Sequence, residues 1–134
     1  MAMQISNWLS AQLLNSAFRG VAFTPPPKIY LALYTSDPTA ADTGQEVVGG
    51  GYARQEIVFS SAVIESGKMT IKNSVNIAFP VATADWNLIT HVGLRTALTG
   101  GNLMSSNALL NPRTILINDN PKFLKDGTLV RFNQ

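Results

Sequence analysis

The hydrophobic period of this chain changes once, across Pro25-Pro26-Pro27. Before the prolines, Ile5, Leu9 and Leu13 stand four apart, with Trp8, Leu14, Ala17 and Phe18 beside them. That spacing predicts an amphipathic helix from about Asn7 to Arg19, capped by Ser6 or Asn7 and closed by Gly20. Each proline ring then fixes φ and removes an amide donor, so 25–27 must be an extended, stiff connector. From Lys28 onward the period is 2. Ile29, Leu31 and Leu33 alternate with Tyr30, Ala32 and Tyr34, a strand apolar enough on both faces to be buried. The pattern divides the chain into an N-terminal helix and Pro-rich arm, 1–27, and a β domain, 28–134.

Further strands are expected at Tyr52 to Phe59, around Met69 and Ile71, and around Val75, Ile77 and Phe79. Others are expected at Thr90 to Arg95, Leu103 to Leu109, Thr114 to Ile117 and Thr128 to Phe132. About eight short strands, punctuated by turns such as Thr99-Gly100-Gly101-Asn102 and Lys125-Asp126-Gly127, fit a single mainly β domain of β-sandwich or jelly-roll type. A βαβ fold would need helices between the strands, and only one segment has helical periodicity. The inward residues form an expected core of Ile29, Leu31, Leu33, Ile57, Phe59, Ile77, Phe79, Val92, Leu94, Ile115 and Val130.

At 134 residues the chain is the size of one domain and needs no staple, and it has no cysteine to supply one. Met1-Ala2-Met3-Gln4 lacks the pattern of a signal peptide, and no window is long and apolar enough to span a membrane, so a soluble, membrane-free protein is expected. Net charge is +2, and the basic residues are scattered rather than gathered into a stripe, which argues against nucleic acid as partner. Charged residues make up 13% of the chain, against roughly 25% in an ordinary soluble domain. A surface so poor in charge suits a protein covered by partners, and equally a loop-rich β domain rich in Ser, Thr and Asn.

Residues able to carry chemistry are sparse. His91 is the single histidine, and acid–base work would need it beside Asp85 and a serine such as Ser105. No nucleophile elbow accompanies it. Asp37 and Asp42 share a loop and could hold calcium only with carbonyl help; asparates at turn starts usually accept local amides instead. Glu46, Glu56 and Glu65 fall in different segments and form no glycosidase-like pair. Gly49-Gly50-Gly51 precedes a strand and lacks a following Gly-Lys-Ser/Thr, so it is no phosphate loop; close backbone approach explains it better. Trp86 would serve as a sugar platform or, more simply, as a buried indole with one acceptor. No catalytic, cofactor or metal residues are assigned.

Several short motifs recur together in a specific order. Tyr30-Leu31-Ala32-Leu33-Tyr34-Thr35, Asp37-Pro38-Thr39 and Asp42-Thr43-Gly44 lead into Gly49-Gly50-Gly51-Tyr52-Ala53-Arg54-Gln55. Then come Ile77-Ala78-Phe79-Pro80-Val81-Ala82-Thr83-Ala84-Asp85-Trp86, Ile89-Thr90-His91-Val92-Gly93-Leu94-Arg95 and Gly100-Gly101-Asn102-Leu103, with Ile5-Ser6-Asn7 and Phe18-Arg19-Gly20 ahead of them. Over roughly residues 4 to 110 this resembles a family of small tailed-bacteriophage structural proteins, often labelled tail-fibre or structural protein. The resemblance implies a non-enzymatic virion component assembled in the bacterial host cytoplasm.

Within a virion, a compact module that is neither long nor repetitive suits a capsid decoration or cement protein bridging neighbouring capsid subunits. A tail, tail-fibre or baseplate component is the alternative, and a carbohydrate-binding β-sandwich a further one. Expected partners are copies of the chain itself, with a trimer as first choice, and the major capsid protein. Two surfaces are candidates for contact. One is the helix and arm, with Trp8, Leu9, Phe18, Pro25 and Pro26, although packing of the helix's apolar stripe on the chain's own β domain is the favoured reading. The other is the long loop Ser36 to Gly51 with Tyr52, where Val47, Val48, Gly49, Gly50 and Gly51 would meet a neighbour.

Overall fold

The computed structural model describes residues 2–131, so Phe132, at the end of the expected last strand, lies outside the described residues. The chain is mainly β. In order it forms β1 Ala2–Ile5, α1 Asn7–Arg19, β2 Ile29–Tyr34, β3 Gln55–Ile57, β4 Val63–Glu65 and β5 Lys68–Lys72. After these come β6 Ile77–Ala78, β7 Asn87–Arg95, β8 Leu103–Ile115, β9 Lys122–Phe123 and β10 Leu129–Arg131.

The helix forms over the residues that the spacing predicts, with both caps in place. Ser6 has extended backbone and its hydroxyl accepts from the Leu9 amide at 3.1 Å, while Gly20 takes the left-handed conformation at φ 69° and donates to the Asn15 carbonyl. A cap of this kind is worth about 1 kcal/mol. Here it does more, because the buried Ser6 hydroxyl also donates to the Leu103 carbonyl at 2.5 Å and fastens the helix to β8.

Eight strands share one sheet in the order β3-β2-β7-β8-β1-β10-β5-β4, and β6 pairs with β9 in a separate two-stranded ladder. The seam of the large sheet is β1. Ala2 and Met3 run parallel to Leu129 and Val130, whereas Gln4 and Ile5 run antiparallel to Ser106 and Ser105. The segment ahead of the helix therefore joins the β3-β2-β7-β8 half to the β10-β5-β4 half.

Two expected strands change form. The Tyr52–Phe59 run narrows to Gln55–Ile57, because the Tyr52 amide closes a turn on the Gly49 carbonyl at 3.0 Å and Phe59 makes only an isolated bridge to Asn73. Thr114–Ile117 is not a strand of its own: β8 runs on to Ile115. The pairing jumps from His91↔Ala108 to Ile89↔Arg113, so 109–112 bulge out opposite Thr90. Pro112 sits in that bulge, where its missing amide forfeits no ladder bond.

The core follows the predicted faces. Leu31, Leu33, Ile57, Ile77, Phe79, Val92, Leu94 and Ile115 are buried in one cluster, and Ile29, Phe59 and Val130 pack against it half-buried. Val47, Ala82, Trp86 and Ile89 complete the cluster. Strand β2 is covered on both sides, since Ala32 and Tyr34 turn the other way to meet Leu103.

Candidate functional site

The loop between β2 and β3 is built on two buried arginines. Arg54 forks onto Glu46, with Nε 2.8 Å from Oε2 and Nη2 2.7 Å from Oε1, and its remaining nitrogen donates to the carbonyls of Ala97 and Gly100 at 2.7 and 2.8 Å. Arg95 donates to Asp42 at 2.7 Å, to the Tyr34 hydroxyl at 3.0 Å and to the Gly101 carbonyl at 3.0 Å. Burial alone would lower the Arg95 pKa, but the Asp42 and Tyr34 oxygens more than reverse that, so it is held above the ordinary arginine value. The Tyr52 hydroxyl donates to Glu46 at 2.6 Å and accepts from the Leu33 amide at 3.0 Å. Burial, then the Glu46 bond, holds its pKa far above the usual tyrosine value. Both the loop and the Thr96–Asn102 turn are thereby fixed to the β2–β7 scaffold by the chain itself.

Within this frame the loop candidates divide. Val47 is 6% exposed and belongs to the core, its amide bonded to the Leu33 carbonyl at 3.0 Å. Val48, its neighbour, is 92% exposed. Gly49, Gly50 and Gly51 have φ of 76°, 60° and 77°, a run that side-chain-bearing residues rarely adopt. The close approach anticipated for these glycines is to Trp86 of the same chain: the indole Nε1 donates to the Gly50 carbonyl at 2.8 Å, and a Cβ on Gly50 would lie 2.8 Å from that nitrogen. Tyr52 is half-buried and stacks on Phe79 at 6.1 Å.

The helix is the opposite case, because none of its residues is buried. Leu9 and Leu13 face the sheet and, with Ile5, Met69, Ile71 and Val130, line an open apolar groove of about 140 Å³. Trp8 is half-buried and meets Phe23 edge-on at 6.1 Å. Leu14 and Phe18, one turn apart on the outer face, are 58% and 82% exposed. Pro25 is exposed and Pro26 half-buried. Sequence spacing alone did not separate an inner from an outer apolar stripe on this helix. It also missed Leu110, 91% exposed at the β8 bulge, whose signal was Pro112 two residues on.

The residues weighed for chemistry are dispersed. His91 bonds Thr90 Oγ1 through Nδ1 at 2.8 Å and approaches Asp37 Oδ1 through Nε2 at 3.9 Å. Asp85 instead accepts from the Ile117 amide, and Ser105 lies opposite Leu94 in the ladder. Asp37 accepts from the Thr39 amide while Asp42 is bound to Arg95, so the two aspartates serve different partners. Glu56 pairs with Lys28 and Glu65 with Lys72. Among the described residues no three metal-ligating side chains cluster. Trp86 is 2% exposed, so its ring face is closed to a sugar.

Exposed apolar side chains thus stand on the helix, the loop and the β8 bulge. No curated protein matches the chain. The family model described as podophage GP4 fiber I protein gp80 matches residues 4–131, nearly the whole chain. The chain belongs to that family, a family of tailed-phage virion structural proteins.

Proposed function

We propose that the protein is a non-enzymatic fibre component of the tail apparatus, assembling with copies of itself and with neighbouring virion proteins. The family's description as a fibre protein favours this placement over capsid cement. The observation that supports an assembly role is the outer stripe of α1, where Leu14 and Phe18 are exposed on a helix with no buried residue. Exposing a Phe side chain forgoes about 1.5–3 kcal/mol of burial, which a neighbour's surface would recover. Val48 and Leu110 are further exposed apolar points. A closed homo-oligomer, with a trimer first, bounds such contacts without runaway growth.

Quantitative mass spectrometry of intact particles and of separated heads and tails tests the placement. A fixed copy number in the tail fraction is the expected result. Recovery with heads alone would restore the cement role, and absence from mature particles would remove both.

A further inference from the structure

Two cations without an ion pair, Arg113 and Lys122, share one cleft. Five of the ten Lys and Arg side chains stand in ion pairs within the chain: Lys28 with Glu56, Arg54 with Glu46, Lys72 with Glu65, Arg95 with Asp42, and Arg131 beside Glu65. The Arg113 and Lys122 side chains have no ion-pair or hydrogen-bond partner among the described residues. Both nevertheless line the same cleft, between β8 and the β6–β9 ladder. Asp119 shares the adjoining recess, but its carboxylate accepts from the Leu116 amide at 2.9 Å and forms no ion pair with either cation.

Beneath the cations the cleft opens onto the core. Leu33, Ile89, Leu109 and Phe123 form the floor of a cavity of about 100 Å³. At about 30 Å³ per water that is the room of roughly three waters, or of one aliphatic side chain. A floor of this kind is poor for water, which needs polar partners.

We propose that this cleft is a docking site for a peptide segment carrying a carboxylate next to an apolar side chain. The apolar side chain fills the cavity and the carboxylate accepts charge-assisted bonds from Arg113 and Lys122. Nucleic acid fits worse, because a phosphate backbone asks for a row of cations and brings no apolar group to the floor. The segment belongs to a neighbouring virion protein, a statement of source that rests on the assembly role proposed above; the chemistry of the cleft does not.

The test is an NMR titration of the whole chain with N-acetyl-leucine, N-acetyl-leucinamide and acetate. N-acetyl-leucine should give saturable shifts at Leu33, Ile89 and Leu109. The amide, which lacks the charge, and acetate, which lacks the side chain, should each bind about tenfold more weakly. An Arg113→Gln, Lys122→Gln double variant, altered only at two exposed positions, should fold normally and lose about tenfold for N-acetyl-leucine. Equal binding of acid and amide, equal binding of acetate, or no saturable shift in the cleft would overturn the site. A short DNA duplex binding there more tightly than the acid would overturn its peptide character. Competition between the double variant and wild type for incorporation into particles reads the source separately. Undiminished incorporation, with probe binding lost, would overturn the assignment to a virion neighbour while leaving the cleft's chemistry standing.

Discussion

Arg95 donates to Asp42 at 2.7 Å, and this one pair ties the long β2–β3 loop to β7, the strand that runs beside β2. The arginine is 8% exposed and the Asp42 side chain 36% exposed. Asp42→Ala should therefore cost about 1–3 kcal/mol, below the value for a fully buried pair because water screens the carboxylate side. Urea denaturation measures it, and an unchanged midpoint would show that the carbonyls of Gly100 and Gly101 suffice to hold Arg95.

Val47 and Val48 should respond oppositely to the same substitution. Val47→Asp places a charge in the core and should cost several kcal/mol or prevent folding. Val48→Asp changes a side chain that is 92% exposed and should leave the denaturation midpoint within about 0.5 kcal/mol of wild type. Reduced incorporation of a stably folded Val48→Asp protein into particles would mark that point as a contact.

On the helix, the double variant Leu14→Asp, Phe18→Asp should keep the circular dichroism spectrum and thermal midpoint of the monomer while weakening self-association. Sedimentation velocity over a concentration series checks this. Unaltered association would place the self-contact elsewhere on the molecule.

Alkaline stability should fall through Tyr52. Its pKa is raised in the folded state, first by burial and then by Glu46, from the ordinary value of 10.0. The unfolded chain loses this proton first, so the contribution is complete below about pH 10 and disappears as pH rises above that. Tyr52→Phe should be less stable at neutral pH, having lost the bonds to Glu46 and Leu33, yet should show a shallower decline between about pH 9 and 11. Denaturant titrations of both proteins across that range decide it. Parallel declines would remove Tyr52 as the source.

Leu31→Ala and Phe79→Ala should each cost about 2–5 kcal/mol. Both side chains are all but fully buried, and Phe79 stands between the Tyr52 and Phe123 rings.

Elements whose signal is local were legible in the sequence. The helix announced itself by four-residue spacing with Ser6 and Gly20 at its ends, and β2 by its alternation. What depends on distant partners was not. Strand β1 is short and gains its identity from β8 and β10, which lie at the other end of the sequence. Strand β4 had a usable signal that passed unread: Ser66 and Gly67, both at positive φ, form the two-residue turn that places Glu65 opposite Lys68. The loop 36–51 is legible as a long loop, but the partners that fix it, Arg54, Trp86 and Arg95, are spread along the chain and meet only in the fold. Residue type alone could not tell Val47 from Val48.

The position of β1 bears on how the protein is made. Its two neighbours in the sheet are β8 and β10, so during synthesis β1 must wait for both of these later strands before its two edges are covered. Pairings of such wide sequence separation form slowly, because loop closure precedes the contacts that reward it. Until then Ala2–Ile5 presents unpaired backbone next to the same strands of other nascent copies. Crowding of many chains on one message would therefore favour exchange of β1 between copies, and slower translation near residues 115–129 would lengthen the interval in which it can occur.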